Sequence, residues 1–281
     1  MSDSSAIEDQ NEWKPKRRQT RFLARHIVSS DSHGFIGRLY DLGIVSLNFD
    51  TYEEVCQFPD CKYAIDSVQW VENLAYRVES LNLAGDLLWP KPVPKSFKEM
   101  PVSRYQWLTI AADVFLMRYV SVVDCALLLV NQIYQLNLPP RSCTVQKVLK
   151  ASISAELACH IRHMFEQQES VRSERNARIH HGFERDFTDD DRTFKTASLF
   201  NDKLNGMVGT DIYGRNIDVD LSFREGLVNL QRDFNRHVRE IEKQLDRLYD
   251  LLSDEFEERF APLIAAATHG MNARAKQRPP A

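Results

Sequence analysis

Between about residues 220 and 257 the apolar side chains fall at Leu227, Leu230, Phe234, Val238, Ile241, Leu245, Leu248 and Leu252. From Val238 onward the steps alternate between three and four. That alternation keeps the side chains on one stripe of an α-helix. At 1.5 Å per residue the helix would be roughly 55 Å long, more than a compact four-helix bundle covers. One end is therefore expected to pack on the N-terminal part of the chain or on a partner subunit. Ser222-x-x-Glu225 offers a capping box near its start.

Three further stretches share this helical periodicity. Ile65, Val68, Val71, Leu74, Ala75, Val78 and Leu81 predict a helix over 63–83. Residues 103–136 are apolar on most sides, as expected of a helix central to a bundle. After Pro139–Pro140, Ser142 or Thr144 can cap a helix whose face is Val145, Val148, Leu149, Ile153, Leu157, Ile161 and Phe165. It is expected to end around 168–172. The connection between these last two helices is only about five residues, so they should be antiparallel neighbours. With only 10 Gly and 11 Pro in 281 residues, too few turn residues are present for an all-β fold.

The remaining stretches set the domain organisation. Residues 1–19 are polar and expected to be disordered. A basic cluster overlaps their end (Lys14, Lys16, Arg17, Arg18, Arg21, Arg25) and is either an RNA-contacting arm or a solvated end. Residues 20–92 form a mostly helical extension, within which GIVSLNF reads as a short strand or a helix end. The proline-rich WPKPVPKSFKEMP stiffens the chain and marks a boundary. Residues 103–262 form the main helical bundle, and 263–281 a flexible basic tail with Arg274, Lys276 and Arg278.

A net charge of −4 supplies no global field toward nucleic acid, so any such binding must be local. Five scattered cysteines do not form a disulfide framework and suit a reducing compartment. The polar N-terminus has no apolar signal core. The longest apolar run, Tyr119 to Val130, is interrupted by Asp124 and falls far short of the roughly 20 residues that span a bilayer. The expected location is the cytoplasm, without membrane association.

The chemistry concentrates in residues 172–182, RSERNARIHHG. Arginine grips phosphate as a fixed cation, and imidazole titrates close to neutral pH. Together they can serve phosphodiester chemistry without a metal. The R-x4-H spacing of Arg175 and His180 carries little by itself, because Arg21–His26 and Arg232–His237 repeat it. Context sets the first pair apart: Asn176 follows the arginine, His181 doubles the histidine, and Gly182 comes directly after. The stretch is expected to open a new element after the helix hairpin, whereas Arg232–His237 lies inside an amphipathic helix beside its packed seam.

A helix hairpin followed by RN-x-x-x-H resembles the HEPN superfamily of small helical domains, many of which cleave RNA. The resemblance rests on Arg175, Asn176 and His180 and extends over roughly the C-terminal 60% of the chain. It implies an all-α, up-and-down HEPN-like bundle, here with an N-terminal helical extension. It also implies a homodimer whose two motifs meet in one cleft, and metal-independent, cofactor-free cleavage of RNA by 2′-hydroxyl attack. Arg175 and His180 are then the catalytic pair, with Arg175 holding the phosphate and His180 moving the proton. Asn176, Arg172, Arg178 and His181 are candidates for substrate binding. The role implied is that of a toxin or defence factor, with a neutralising partner protein as its counterpart. The alternatives are a non-catalytic HEPN-like protein that binds nucleic acid or a partner, and a helical scaffold without a site.

Three further features bear on these readings. Asp113, Met117, Val120 and Asp124 share one helical stripe, so Asp124 is a candidate support for the histidine site. The acidic run Asp186 and Asp189–Asp191 would repel RNA close to the cleft. Cys56, Cys61, Cys159, His160 and His163 lack the paired spacing of a zinc site.

Overall fold

The computed structural model describes residues 33–90, 94, 96–204, 209, 210, 213, 214 and 216–267. The basic cluster at residues 14–25, the Arg21–His26 pair and the basic tail residues lie outside them. Among the described residues the regular structure is helical, with a lone bridge between Thr210 and Asn216. The fold is the all-α one expected.

Helix α1 spans Gly34–Gly43, and the His33 side chain caps it by accepting from Phe35 N–H at 3.3 Å. The ambiguous GIVSLNF stretch is a 3₁₀ turn over Ile44–Asn48 with Ile44 and Leu47 exposed, not a strand. After the single turn Tyr52–Val55, helix α2 runs over Pro59–Asp86. Proline suits its first position, where the N–H has no partner within the helix. Helix α3 covers Arg104–Ile133. It ends where Gln135 and Asn137 turn left-handed, just before Pro139–Pro140.

The next predicted helix is broken. Val145–Lys150 forms one short segment, and Ala151 leaves helical geometry at ψ 169°. Ser154 then starts helix α4, its hydroxyl accepting from Leu157 N–H at 3.2 Å. Helix α4 spans Ala155–His181, well past the predicted stop near 168–172. No glycine or proline stands between Ala155 and His181 to end it sooner. Helix α5 covers Asp191–Lys203, capped by Asp190, and helix α6 covers Val219–Ala266. The cap of α6 is Asp218, accepting from Leu221 N–H at 3.0 Å, and not the Ser222 box. Asp218 comes first in the chain, and its short carboxylate already satisfies that free N–H.

The helices divide into two compact units. One comprises Asn82–Met117 and Val171–Val238. The other comprises the described residues through Leu81 with Arg118–Ser170 and the chain from Arg239. Both take residues from either side of the proline-rich stretch, so that stretch is not where the chain divides. In the first unit Phe97 packs edge-on against Trp107 and Phe223, and Tyr105 against Phe187 and Phe194. A Cβ on Gly226 would meet Leu108 Cδ1 at 2.5 Å, so only glycine permits that approach. Arg104 and Asp202 form a nearly fully buried ion pair in this core. In the second unit Phe256 stacks on Tyr63 at 5.2 Å and meets Phe35 at 6.0 Å. The far end of the long α6 seam thus packs on the N-terminal part of the chain, the first of the two outcomes expected for it.

Candidate functional site

Residues 172–181 are the last three turns of α4 and do not open a new element. Gly182 ends the helix with φ +68°, and Phe183 N–H returns to the Ala177 carbonyl at 3.3 Å. Only a residue without a Cβ takes that conformation cheaply. Arg178, His180 and His181 lie in the final turn, where the helix dipole favours positive charge.

Helical phase sorts the candidate residues. Asn176, His180 and His181 are exposed, as are Ile179 and Phe183 beside them. Arg172, Arg175 and Arg178 are half-buried. Arg175 Nε is shielded from solvent and has no hydrogen-bond partner. Asn176 and His180 are four apart and share a face. Arg175 and His180 are five apart, which on a helix is about 140° of rotation. One copy of this helix therefore presents the two to different directions.

Arg178 is held firmly. Its side chain is only 6% exposed, and Nε donates to Asp113 Oδ1 at 2.6 Å. It is thus not a surface helix residue, and the carboxylate brought to the stretch is Asp113. Asp124, the acid suggested by the shared stripe, is exposed and belongs to the second compact unit. Arg185, just past the helix end, pairs with Asp233 and lies 3.6 Å from Glu174. Burial depresses its pKa below the usual guanidinium value. Asp233 also accepts from Arg236 at 3.1 Å. The α4 terminus is therefore tied both to α3, through Asp113, and to α6, through Asp233. Both ties join residues distant in sequence, which the periodicity of either helix alone does not reveal.

The second R-x4-H pair enters the same unit differently. Arg232 is exposed, while His237 packs on the Phe115 ring at 5.9 Å. His237 Nδ1 lies 2.8 Å from the Asp233 carbonyl oxygen. Burial, with Arg236 and Arg185 adding to it, pushes its pKa down to about 4.

The acidic run also has assigned work. Asp190 caps α5, and Asp191 accepts from the backbone N–H groups of Phe187 and Thr188 at 2.8 and 2.7 Å. Burial raises the Asp191 pKa. Two of the run's carboxylates thus organise their own loop. Among the described residues no group of three His, Cys, Asp or Glu side chains converges as a metal site. Among them, too, no helix is long and apolar enough to cross a membrane.

Residues 70–252 match the family profile described as Cthe2314-like HEPN. The chain belongs to the HEPN superfamily. The match spans more than half of the sequence and contains the whole 172–182 stretch. No curated protein and no solved structure matches the chain. The HEPN domain begins within α2, upstream of the proline-rich segment, so that segment lies inside it.

Proposed function

We propose that this HEPN protein is a metal-independent endoribonuclease acting as a homodimer. The observation that carries the proposal is the end of α4: His180 stands exposed on a helix tip whose rotation is fixed, and Arg175 keeps its Nε out of any protein hydrogen bond. Because the pair diverges by about 140° within one helix, a second copy completes the site. The arginine of one copy then faces the phosphate approached by the histidine of the other. Exposed Ile179 and Phe183 beside His180 support such a contact.

In the reaction, the ribose 2′-oxygen forms a bond to the adjacent phosphorus while the bond from phosphorus to the 5′-oxygen breaks. One His180 takes the 2′-hydroxyl proton, and the His180 of the second copy gives a proton to the departing 5′-oxygen. The products are a 2′,3′-cyclic phosphate and a 5′-hydroxyl. Arg175 stabilises the negative charge on the non-bridging oxygens. Asn176, one turn from His180, orients the phosphate or the imidazole. Arg172 and His181 add contacts to the RNA backbone. Arg178, tied to Asp113, acts mainly by holding the helix. A toxin or defence role, with a neutralising partner protein, is the setting in which unregulated RNA cleavage makes sense.

The test is cleavage of RNA by purified protein in EDTA, compared with His180→Ala and Arg175→Ala. Loss of cleavage in both, with cyclic-phosphate ends on the wild-type products, is expected. Equal cleavage by the wild type and both variants would sink the assignment. Intact RNA binding without cleavage by the wild type would leave a binding protein instead.

A further inference from the structure

The second compact unit contains a cleft that the proposed reaction does not use. Its volume is about 550 Å³, within the ~300–1,000 Å³ range of small-molecule sites. One wall is α2, where Lys62, Asp66 and Trp70 recur every four residues on one stripe. The other is the end of α3 and its following loop, with Gln132, Gln135 and Asn137.

That loop has an unusual backbone. Gln135 and Asn137 take φ values of 49° and 55°, in the left-handed region that asparagine tolerates and glutamine avoids. The surroundings impose it. Asn131 Nδ2 donates to the Leu138 carbonyl and Leu138 N–H donates to Asn131 Oδ1, both at 3.0 Å. The buried Tyr63 hydroxyl donates to the Ile133 carbonyl at 2.8 Å, and Asn137 Nδ2 to the Gln135 carbonyl at 2.9 Å. Strain held in place by this many contacts collects at ligand sites.

The lining also narrows the ligand. Lys62 and Asp66 pair with each other, and both reach the Tyr52 hydroxyl, at 3.1 and 2.8 Å. The cleft therefore offers no net charge. Among the described residues the side-chain amides of Gln132 and Gln135 make no hydrogen bond, so each leaves a donor and an acceptor side by side. Trp70 supplies an aromatic surface. An aromatic platform with uncharged amides complements an unstacked nucleobase, which has a flat face and alternating donors and acceptors on its edge. A sugar ring would call on carboxylate oxygens for its hydroxyls, and both oxygens of Asp66 are engaged.

We propose that this cleft binds a nucleobase, stacked on Trp70 and read by Gln132 and Gln135. The base belongs to a free nucleoside or to an unpaired position of an RNA strand. In the second case the inference rests on the ribonuclease reading, as an anchor for its substrate.

The full chain is titrated with adenosine, with uridine, and with a short unstructured oligoribonucleotide, the last with His180→Ala protein in EDTA. Saturable binding is expected, about tenfold or more weaker in Trp70→Ala and in Gln132→Ala with Gln135→Ala, and largely kept in Trp70→Phe. The glutamine pair controls for any folding defect of Trp70→Ala. Nucleoside binding that the variants lose assigns the free molecule; oligonucleotide binding alone, lost in the same variants, assigns RNA. No saturable binding by any of the three probes, or binding that none of the variants weakens, overturns the proposal. Failure here leaves the His180 cleavage test standing, and failure of that test leaves this cleft standing.

Discussion

The chain carries the same five-residue spacing on two helices of one compact unit, with opposite outcomes. His180 is exposed on the last turn of α4, flanked by a glycine that ends the helix. His237 lies mid-way along α6, packed on Phe115, its Nδ1 against a carbonyl of its own helix and its pKa pushed to about 4. Arginine five residues before a histidine is thus no site by itself. Position relative to the helix end decides whether the ring meets solvent or packs against the core. Burial then lowers the pKa of the packed ring, that of His237.

The sharpest break of this comparison is a matched pair of variants. His180→Gln should lower RNA cleavage by about 10²–10⁴-fold, the usual contribution of a positioned acid or base. His237→Gln should leave the cleavage rate of the folded protein within a few-fold. Equal losses in the two would mean that the spacing, and not the setting, carries the function.

Next in size is the tie beneath the site. Asp113→Ala removes the partner of a nearly buried guanidinium. Because Asp113 itself is 38% exposed, the cost should be about 2 kcal/mol, below the 3–5 of a fully buried pair. Urea denaturation measures it. A change under about 0.5 kcal/mol would show that Asp113 does not hold the helix end.

His237 should also leave a mark on the pH dependence of stability. His237 has a folded pKa of about 4, below the ordinary 6.5. Above pH 6.5 it is neutral in both states, and its full stability is present. As pH falls from 6.5 toward 4 the unfolded chain takes up the proton first, and stability is lost. With allowance for partial exposure the loss is about 1–2 kcal/mol. Denaturation at pH 5 and pH 7 should show that His237→Leu removes this part of the slope.

The smallest effect is expected at the helix stop. Gly182→Ala meets no neighbouring atom within 4 Å, so its cost is the left-handed backbone alone, about 1 kcal/mol. A thermal melt suffices to read it. A stabilised variant would mean that the helix end is not fixed at Gly182.

Much of the fold was legible because it is periodic. The α6 seam, the face of α2 and the apolar α3 all read directly as helices. The candidate site was legible only as a set of residue types, since Arg175, Asn176, His180 and Gly182 lie close together in sequence. Their setting was not. That α4 continues to His181 depends on the absence of any strong breaker, a weaker signal than a cap. That Arg178 meets Asp113, or Arg185 meets Asp233, depends on how helices pack, which local spacing does not encode. Residues on both sides of the proline-rich stretch contribute to one compact unit, which local composition does not reveal. The cleft near Trp70 is not legible in the sequence, because one wall of it is a loop whose backbone angles no composition announces.

The pairing of Arg178 with Asp113 has one more consequence. Each residue advances a helix by about 100°, so a slip of one position would swing His180 through more than a quarter turn. Arg178 stands between Arg175 and His180, and its partner lies on a different helix. The ion pair therefore works as an index pin on a dial. It selects one rotational setting of the helix tip, and with it the two directions in which Arg175 and His180 are presented.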